Sequence, residues 1–237
     1  MLSESLTRWK IVFDNFDYFL WGAFPQGQLG GLALSILLAL GGIFGAFWLG
    51  LVFGLLRLSK RWYLRWPASV YIEIIRGTPL LMVIFWFYFA GPIILGTNLP
   101  EFGSALMAFI VFTSAYVAEI IRAGIQGLPK GQTEAARGTG LSHLQTMMFI
   151  ILPQALRNMI PSFVNQFVAL TKDTSLASLI MLNELFRTGV QVVSRESITP
   201  MEIYITLAVM YFVVCYALTS LSRRLERQMS RYQARGS

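Results

Sequence analysis

The segment from Tyr18 to Leu56 contains 39 consecutive residues without a charged side chain. About 20 apolar residues in a helix suffice to cross the hydrocarbon core of a bilayer, and a cleavable signal peptide has a shorter apolar core than this segment. Only 13% of all residues are charged, roughly half the fraction in an average soluble domain. The sequence therefore predicts an integral membrane protein, and it excludes a disordered chain, a collagen-like fibre and an ordinary water-soluble globule.

Four further apolar segments are long enough to be membrane spans. They comprise residues 77–100, 102–118 with an extension to about Gly124, 158–181 and 203–222, and Lys172 and Asp173 interrupt the segment 158–181. We therefore predict an all-α integral membrane protein with about five spans. Residues 1–28 would form an outer segment, residues 29–222 the membrane domain and residues 223–237 a basic tail.

Fourteen of the 19 Lys and Arg residues fall on one side of the membrane if the spans alternate in direction. The opposite side receives only Arg8, Lys10, Arg187 and Arg195. Because cytoplasmic loops carry the excess of Lys and Arg, this asymmetry predicts a multi-pass protein of the cell inner membrane with its N-terminus outside and its C-terminus in the cytoplasm. The charges lie in separate short loops and form no single basic face, which excludes a nucleic-acid partner.

The segment before the first span has a helical pattern of its own. Apolar residues face away from Asp14 and Asp17, at Trp9, Val12, Phe13, Phe16 and Leu20. This pattern fits either an interfacial helix on the outer surface or a longer, irregular start to the first span.

The sequence lacks the residues that several kinds of chemistry require. Cys215 and His143 are the only cysteine and histidine, which leaves no disulfide framework and no thiolate or histidine metal cluster. None of the four lysines is followed by Ser or Thr, so there is no Walker A loop, and no G-x-S-x-G element is present. We expect no catalytic residue, metal or cofactor in this chain, and any ATP hydrolysis must come from another subunit.

The long loop between the third and fourth spans, residues 126–157, contains the sequence EAARGTGLSHLQTMMFIILP from Glu134 to Pro153. Apolar residues recur in it at helical spacing, at Leu141, Leu144, Met147, Met148 and Ile151. We expect Glu134 to lie at a helix N-terminus, Gly138 and Gly140 to permit a bend, and Pro153 to end the segment. The pattern fits a helix lying on the inner surface of the bundle, or a helix presented to a groove on a soluble partner.

This loop resembles the EAA loop of ATP-binding-cassette importer permeases. Glu134-Ala135-Ala136 is followed after three residues by Gly140, and after nine more by Ile150, one residue, and Leu152-Pro153. Further segments resemble the polar amino-acid permeases, which include histidine, glutamine and glutamate/aspartate importers. These segments are Ile75–Leu80 (IRGTPL), Glu119–Gln126 (EIIRAGIQ), Pro129–Gln132 (PKGQ), Leu152–Leu156 (LPQAL) and Lys172–Leu176 (KDTSL).

The resemblance implies a type I importer fold with five to six spans and a cytoplasmic coupling helix seated in a cleft of the ATPase. The residues implied in coupling are Glu134, Ala135, Ala136, Gly140, Leu152 and Pro153. The implied partners are an ATPase dimer that binds ATP and Mg, a second permease subunit (identical or related), a periplasmic solute-binding protein, membrane lipid and an amino-acid substrate. Three further short segments are most similar to glutamate/aspartate permeases, which suggests an acidic substrate.

Two similar segments carry charge close to the inner ends of the spans: Glu73 and Arg76 in one, Glu119 and Arg122 in the other. Charge buried in lipid is costly, so these residues are candidates for function. Glu and Arg three residues apart can pair along one helix. The alternative is a charged inner gate whose pairs exchange between spans or subunits.

The fourth span carries a row of polar residues, at Ser162, Asn165, Gln166, Lys172 and Asp173. Such a row should face protein or a water-filled path, because unpaired polar groups do not face hydrocarbon. Lys172 and Asp173 together could meet the α-carboxylate and α-ammonium of an amino acid. Alternatively they satisfy each other or the neighbouring subunit.

We therefore predict the transmembrane permease subunit of an ATP-driven importer that moves polar amino acids from periplasm to cytoplasm. Two other classes fit the spans: a secondary transporter or channel that needs no ATPase, and a membrane scaffold whose loop recruits a soluble protein. Five spans offer no obvious inverted pair of half-domains, which disfavours the secondary transporter.

Overall fold

The computed structural model describes residues 9–196 and 200–234; for Leu95 and residues 225–234 it describes the backbone only. The helices are α1 (residues 9–14), α2 (Phe16–Trp21), α3 (Gly31–Arg57), α4 (Trp62–Gly77), α5 (Leu80–Phe85), α6 (Gly91–Leu95), α7 (Glu101–Gln126), α8 (Lys130–Gly138), α9 (His143–Gln145), α10 (Leu152–Asp173), α11 (Leu185–Glu196) and α12 (Met201–Ala234). Within these described residues there are two isolated β-bridges and no strand.

Four helices are long and apolar enough to cross a membrane, and a fifth span is formed if one bent pair counts as one. The four are Gly31–Arg57, Glu101–Gln126, His143–Ile180 and Met201–Arg224. The all-α fold with about five spans is therefore confirmed. The last helix continues to Ala234, so residues 223–234 of the predicted basic tail extend the fifth span as helix.

The second span differs from the prediction. The sequence places it at residues 77–100, whereas the structure has α4 followed by a helix over Leu80–Ile94, bent by 107°. Thr78 is extended, with ψ of 139°, because the proline that follows disfavours helical backbone at the preceding residue. A search for charge-free runs misses α4 because Arg65, Glu73 and Arg76 lie within it.

Two π-helical turns stand directly before prolines. Trp86–Ala90 precedes Gly91-Pro92, and Thr146–Ile151 precedes Leu152-Pro153. A proline inside a helix removes one N–H donor and crowds the carbonyl four residues earlier, and a wider turn relieves that crowding. The prediction that Pro153 ends the loop segment is therefore wrong: the helix begins at His143 and runs through Pro153 to Ile180.

The chain divides into two compact units. Unit 1 comprises residues 1–43, 79–109 and 168–217, and its main apolar cluster includes Phe19, Leu185, Val192 and Leu207. Several residues of α1 and α2 pack in or on this cluster. Residues 9–14 and 16–21 are thus helical and pack on unit 1, while the interfacial placement of the N-terminal segment and its alternative both stay predictions.

Unit 2 comprises residues 44–78, 110–167 and 218–237. Here α3 approaches α7 closely, because glycines of α3 face it. A Cβ at Gly50 would lie 2.5 Å from Cγ1 of Val117, and one at Gly54 would lie 3.0 Å from the carbonyl oxygen of Ala118. Small residues at four-residue spacing let membrane helices approach this closely. The approach brings Arg57, at the end of α3, within reach of α7.

Candidate functional site

The loop with the EAA spacing folds as a helical hairpin within unit 2. Its first arm is α8, where Glu134 and Ala135 are exposed and Ala136 is buried. Glu134 lies in the middle of α8, so the prediction that it begins the helix is wrong; Lys130 is the first residue, after Pro129. The EAA residues thus present one short helix with its acidic side chain in solvent.

Gly140 ends this arm in a Schellman motif. Its N–H donates to the carbonyl of Arg137 at 3.0 Å, and the N–H of Leu141 donates to the carbonyl of Ala136 at 3.4 Å. Gly140 has φ of +87°, a left-handed conformation that costs a residue with a Cβ free energy, while no atom lies within 4 Å of where that Cβ would be. Glycine at this position is explained by the backbone and not by crowding inside the chain.

The second arm begins at once after Gly140. Ser142 caps the next helix in a capping box: its side chain accepts from the N–H of Gln145, whose side chain accepts from the N–H of Ser142. Leu152 and Pro153 lie further along this arm, and the Nε2 of Gln154 donates to the Oε1 of Gln132 in α8 at 3.1 Å. The two halves of the motif are therefore the two arms of the hairpin.

The apolar residues of the second arm do not share one buried face. Ile151 is 4% exposed, while Leu144 and Met148 are 68% and 54% exposed. A helix lying flat on the bundle would bury them all, so this arm keeps an apolar face without a partner inside the described chain.

The charged residues predicted as an inner gate meet in unit 2, but through a residue that sequence reasoning missed. Arg57 donates to Glu73 at 3.1 Å and to Glu119 at 3.0 Å, and so joins α3, α4 and α7. Glu119 also pairs with Arg122 at 2.5 Å and lies 3.9 Å from Arg76. The pairing along one helix predicted for Glu119 and Arg122 is present, whereas Glu73 pairs with Arg57 and not with Arg76 among the recorded ion pairs of the described residues.

The polar row of the fourth span lies on α10. In unit 2, Ser162 and Asn165 are exposed and Gln166 is partly buried. This chain therefore does not cover the side chains of Ser162 and Asn165. Because polar groups do not face hydrocarbon, these side chains must face a water-filled path or a neighbouring subunit.

In unit 1, Lys172 is exposed and Asp173 is partly buried, and among the described residues the structure records no ion pair between them. Lys172 lines a cavity of about 360 Å³ together with Ser175, Tyr211 and the stacked rings of Phe186 and Tyr204, whose centroids are 6.1 Å apart. A cation, a hydroxyl and an aromatic pair in one small cavity suit a carboxylate attached to a short organic body.

Glu184 is the other residue that sequence reasoning missed. It is 0% exposed and precedes α11, where its carboxylate accepts the N–H groups of Phe186 at 2.9 Å and Arg187 at 2.8 Å. The hydroxyls of Tyr211 and Ser35 donate to it at 2.8 and 3.4 Å. Burial raises the pKa of Glu184 to about 7 against the effect of these four donors. The signal available was a single acidic residue within the apolar sequence SLIMLNELF.

Comparison with known proteins agrees with this architecture. Residues 42–231 match the family described as binding-protein-dependent transport system inner membrane component. The L-cystine transport system permease protein TcyB of Bacillus subtilis (strain 168) is 42% identical over 227 residues, which cover 96% of this chain and 93% of that protein. The probable glutamine ABC transporter permease protein GlnP of the same organism is 42% identical over 212 residues, covering 86% and 96%.

Solved structures give the same fold. A chain of the crystal structure of an amino acid ABC transporter with histidines superposes with a TM-score of 0.79 at 36% identity, covering 84% of this chain and 92% of that one. An inward-facing MetNI methionine ABC transporter superposes with a TM-score of 0.71 at 19% identity. The chain therefore belongs to the binding-protein-dependent transport system inner membrane components, as a permease subunit of the polar amino-acid ATP-binding-cassette importers whose ATPase is a separate subunit.

Proposed function

We propose that this permease imports a neutral polar amino acid and is driven through α8 by a dimer of ATPase subunits that bind ATP and Mg. The observation that carries the proposal is the hairpin geometry: Glu134 and Ala135 are exposed on a short helix whose far end is fixed by Gly140. The relatives at 42% identity are named for cystine and for glutamine, which favours a neutral substrate over the glutamate or aspartate suggested by sequence resemblance.

The coupling step follows from how the hairpin is built. α8 contacts the second arm through Gln132 and Gln154, and that arm continues without interruption into the helix that carries Ser162 and Asn165. A shift of α8 on ATP binding would therefore move the second arm and, with it, Ser162 and Asn165. We assign Leu152 and Pro153 to this transmission and Glu134, Ala135, Ala136 and Gly140 to the contact with the ATPase.

The polar residues of α10 are proposed to line the substrate path, in two groups. Ser162, Asn165 and Gln166 offer hydroxyl and amide groups to a hydrated amino acid. Lys172 would attract the α-carboxylate and Asp173 the α-ammonium. Among the described residues no ion pair between Lys172 and Asp173 is recorded, which supports two distinct roles.

The ion network is proposed as the inner gate, with Arg57 added to Glu73, Arg76, Glu119 and Arg122. Three helix ends meet in it, so any movement of one helix must exchange or break an ion pair. Ion pairs near a membrane surface contribute little free energy individually, which lets them exchange.

The assembly proposed from the family has two permease subunits, identical or related, with a periplasmic solute-binding protein on the outer side. The positive-inside rule supports the N-terminus outside and α8 in the cytoplasm, where the ATPase is found. Residues 1–28 would form the outer segment, residues 29–222 the permease domain with its coupling loop at 126–157, and residues 223–237 the cytoplasmic tail.

Reconstitution of the permease with its ATPase and binding protein in liposomes tests the proposal. We expect uptake that requires ATP. Uptake without ATP would instead indicate a secondary transporter or channel, and the absence of uptake would indicate a scaffold.

Variants at Gly140 test the coupling route in the same liposomes. Gly140→Asp should leave the protein in the membrane, while ATP hydrolysis continues with uptake reduced at least tenfold. Gly140→Asn is the matched control, because asparagine has nearly the same shape and tolerates left-handed backbone. A larger loss for Asp than for Asn assigns the effect to charge at the ATPase contact; normal uptake by both would refute the coupling role of the hairpin.

A further inference from the structure

A cavity of about 460 Å³ lies in unit 2 behind the coupling helix, between the end of α7, α8 and the first turns of the second arm. Its lining combines two basic side chains, Lys130 and His143, with apolar Met147 and Ile151. The volume falls within the range of about 300–1,000 Å³ that small-molecule sites occupy. Its composition suits a ligand that is anionic at one end and apolar at the other.

Thr146 supplies an independent observation at the same place. It lines the cavity and is 1% exposed, yet its Oγ1 has no hydrogen-bond partner among the described residues. The hydroxyls of Thr174 and Thr188 donate locally, to the carbonyls of Thr171 and Leu185. Thr113 in α7 is also buried without a partner among the described residues, but Thr146 is the one that lines this cavity. A buried hydroxyl without a partner destabilises the folded protein, and such groups in native proteins require an explanation.

The position of the cavity relative to the bilayer indicates a site at the membrane surface. The helix His143–Ile180 has 38 residues and is therefore roughly 57 Å long, while the hydrocarbon core is only about 30 Å thick. Part of the helix must therefore lie outside the hydrocarbon, and the proposed topology places its first turns on the cytoplasmic side, where they expose Leu144, Met148 and Phe149. Exposed apolar side chains beside basic ones are typical of segments that lie at the lipid headgroups.

We propose that this cavity binds the phosphate group of an anionic membrane lipid. Lys130 and His143 hold the phosphate, and the hydroxyl of Thr146 is a further donor. Met147 and Ile151 pack against the first methylene groups. Because the proposed function places this loop in the cytoplasm, the ligand comes from the inner leaflet, whose anionic lipids attract basic pockets of membrane proteins. A lipid held there would fix α8 against the second arm and so support coupling.

Lipid binding is tested on the purified complex of permease and ATPase by native mass spectrometry in detergent. Phosphatidylglycerol and phosphatidylcholine with identical acyl chains serve as probes. We expect the wild-type permease to retain one phosphatidylglycerol per chain at concentrations where it retains no phosphatidylcholine. Lys130→Gln should weaken this binding about tenfold, since it removes one charge-assisted contact. Thr146→Val should weaken it by about threefold.

Arg157→Gln is the matched control, because it removes one positive charge from the same side of the chain at a residue outside the cavity lining. Equal binding of both lipids, or equal losses in Lys130→Gln and Arg157→Gln, would overturn the site. If the permease retained inorganic phosphate alone as strongly as it retains phosphatidylglycerol, the cavity would be assigned to a free anion. Loss of the ATPase from Lys130→Gln with unchanged lipid retention would assign it to the protein partner. Uptake is not measured, so failure of the lipid site leaves the transport proposal standing.

Discussion

Glu119 and Glu184 are both withdrawn from solvent, and the protein stabilises their carboxylates by opposite means. Glu119, in unit 2, is surrounded by the guanidinium groups of Arg57, Arg76 and Arg122. Glu184, in unit 1, has no recorded ion pair among the described residues; two backbone N–H groups and two hydroxyls hold it. The first carboxylate is balanced by opposite charge, the second only by dipoles.

The two kinds of partner predict different behaviour: the ion pairs of Glu119 can rearrange, whereas the hydrogen bonds of Glu184 should persist. An arginine can exchange one carboxylate for another while the helices move, at little cost near a membrane surface. The donors of Glu184 include the N-terminus of α11, whose geometry is fixed by the helix itself. We therefore expect Glu184 to fix the turn before α11 in all states, and the network of Glu119 to change between states.

The largest effect is expected from Glu184→Ala. It removes the acceptor of two N–H groups and of the Tyr211 hydroxyl, while the Ser35 hydroxyl keeps the Gly31 carbonyl, and it should lower the free energy of unfolding by about 4 kcal/mol. Glu184→Gln retains one acceptor oxygen and should cost about half as much. Unfolding in detergent, followed by circular dichroism, measures both. Equal losses for Ala and Gln would show that the oxygen that Gln retains accepts no stabilising hydrogen bond, which would contradict this account.

A pH dependence should follow from the same residue. The pKa of Glu184 is raised from 4.5 to about 7 in the folded protein, so the folded state binds the proton more tightly. Its contribution to stability is complete below pH 4.5, falls as pH rises to about 7, and then stays constant. The loss should be about 3 kcal/mol, at 1.36 kcal/mol for each unit of the pKa difference. Comparing midpoints of thermal unfolding of wild type and Glu184→Gln isolates it, because the variant cannot titrate there; parallel curves would contradict the assignment.

The spans and the bend at Gly140 were largely predictable from the sequence, because their causes are local. Apolar runs mark the spans and glycine marks the bend, whereas the predicted bounds of the helices on either side of it were wrong. Prediction failed where neighbouring residues alter the local rule: Pro79 divides the second span, and a π turn lets Pro153 remain inside a helix.

The ion partners were less predictable, because they depend on how helices approach each other. Spacing along one helix correctly pairs Glu119 with Arg122. Spacing along one helix does not show that Gly50 and Gly54 let α3 pack closely against α7, which places Arg57 beside Glu119. Two of the four donors to Glu184 are the N–H groups of the next helix, but the two hydroxyls belong to Ser35 and Tyr211, about 150 and 27 residues away, which no local pattern connects.

Glu119→Gln should have an intermediate effect with a signature that Glu184→Ala lacks. Removing the carboxylate leaves three guanidinium groups facing one another, which should lower the free energy of unfolding by about 2 kcal/mol at low salt. Because partly exposed charges are screened by salt, the deficit should shrink as NaCl is raised towards 1 M. The deficit of Glu184→Ala should not shrink. Unfolding midpoints of both variants at several salt concentrations decide this, and equal salt responses would remove the distinction between the two acids.

The smallest effect should distinguish the two ion pairs made by Arg57. Its partner Glu73 is 68% exposed at the side chain, whereas Glu119 is 21% exposed. Exposed pairs contribute about 0.2–1 kcal/mol, and the partly buried pair should contribute more. Double-mutant cycles that combine Arg57→Gln with Glu73→Gln or with Glu119→Gln measure each coupling energy separately. We expect about 0.3 kcal/mol for Glu73 and about 1 kcal/mol for Glu119.

Arg57→Lys replaces the two nitrogens that contact the two carboxylates by a single ammonium nitrogen. This variant should therefore retain the coupling to one carboxylate and lose the other. If Arg57 couples equally to both carboxylates, exposure does not rank these pairs, and either pair could break first when the proposed inner gate opens.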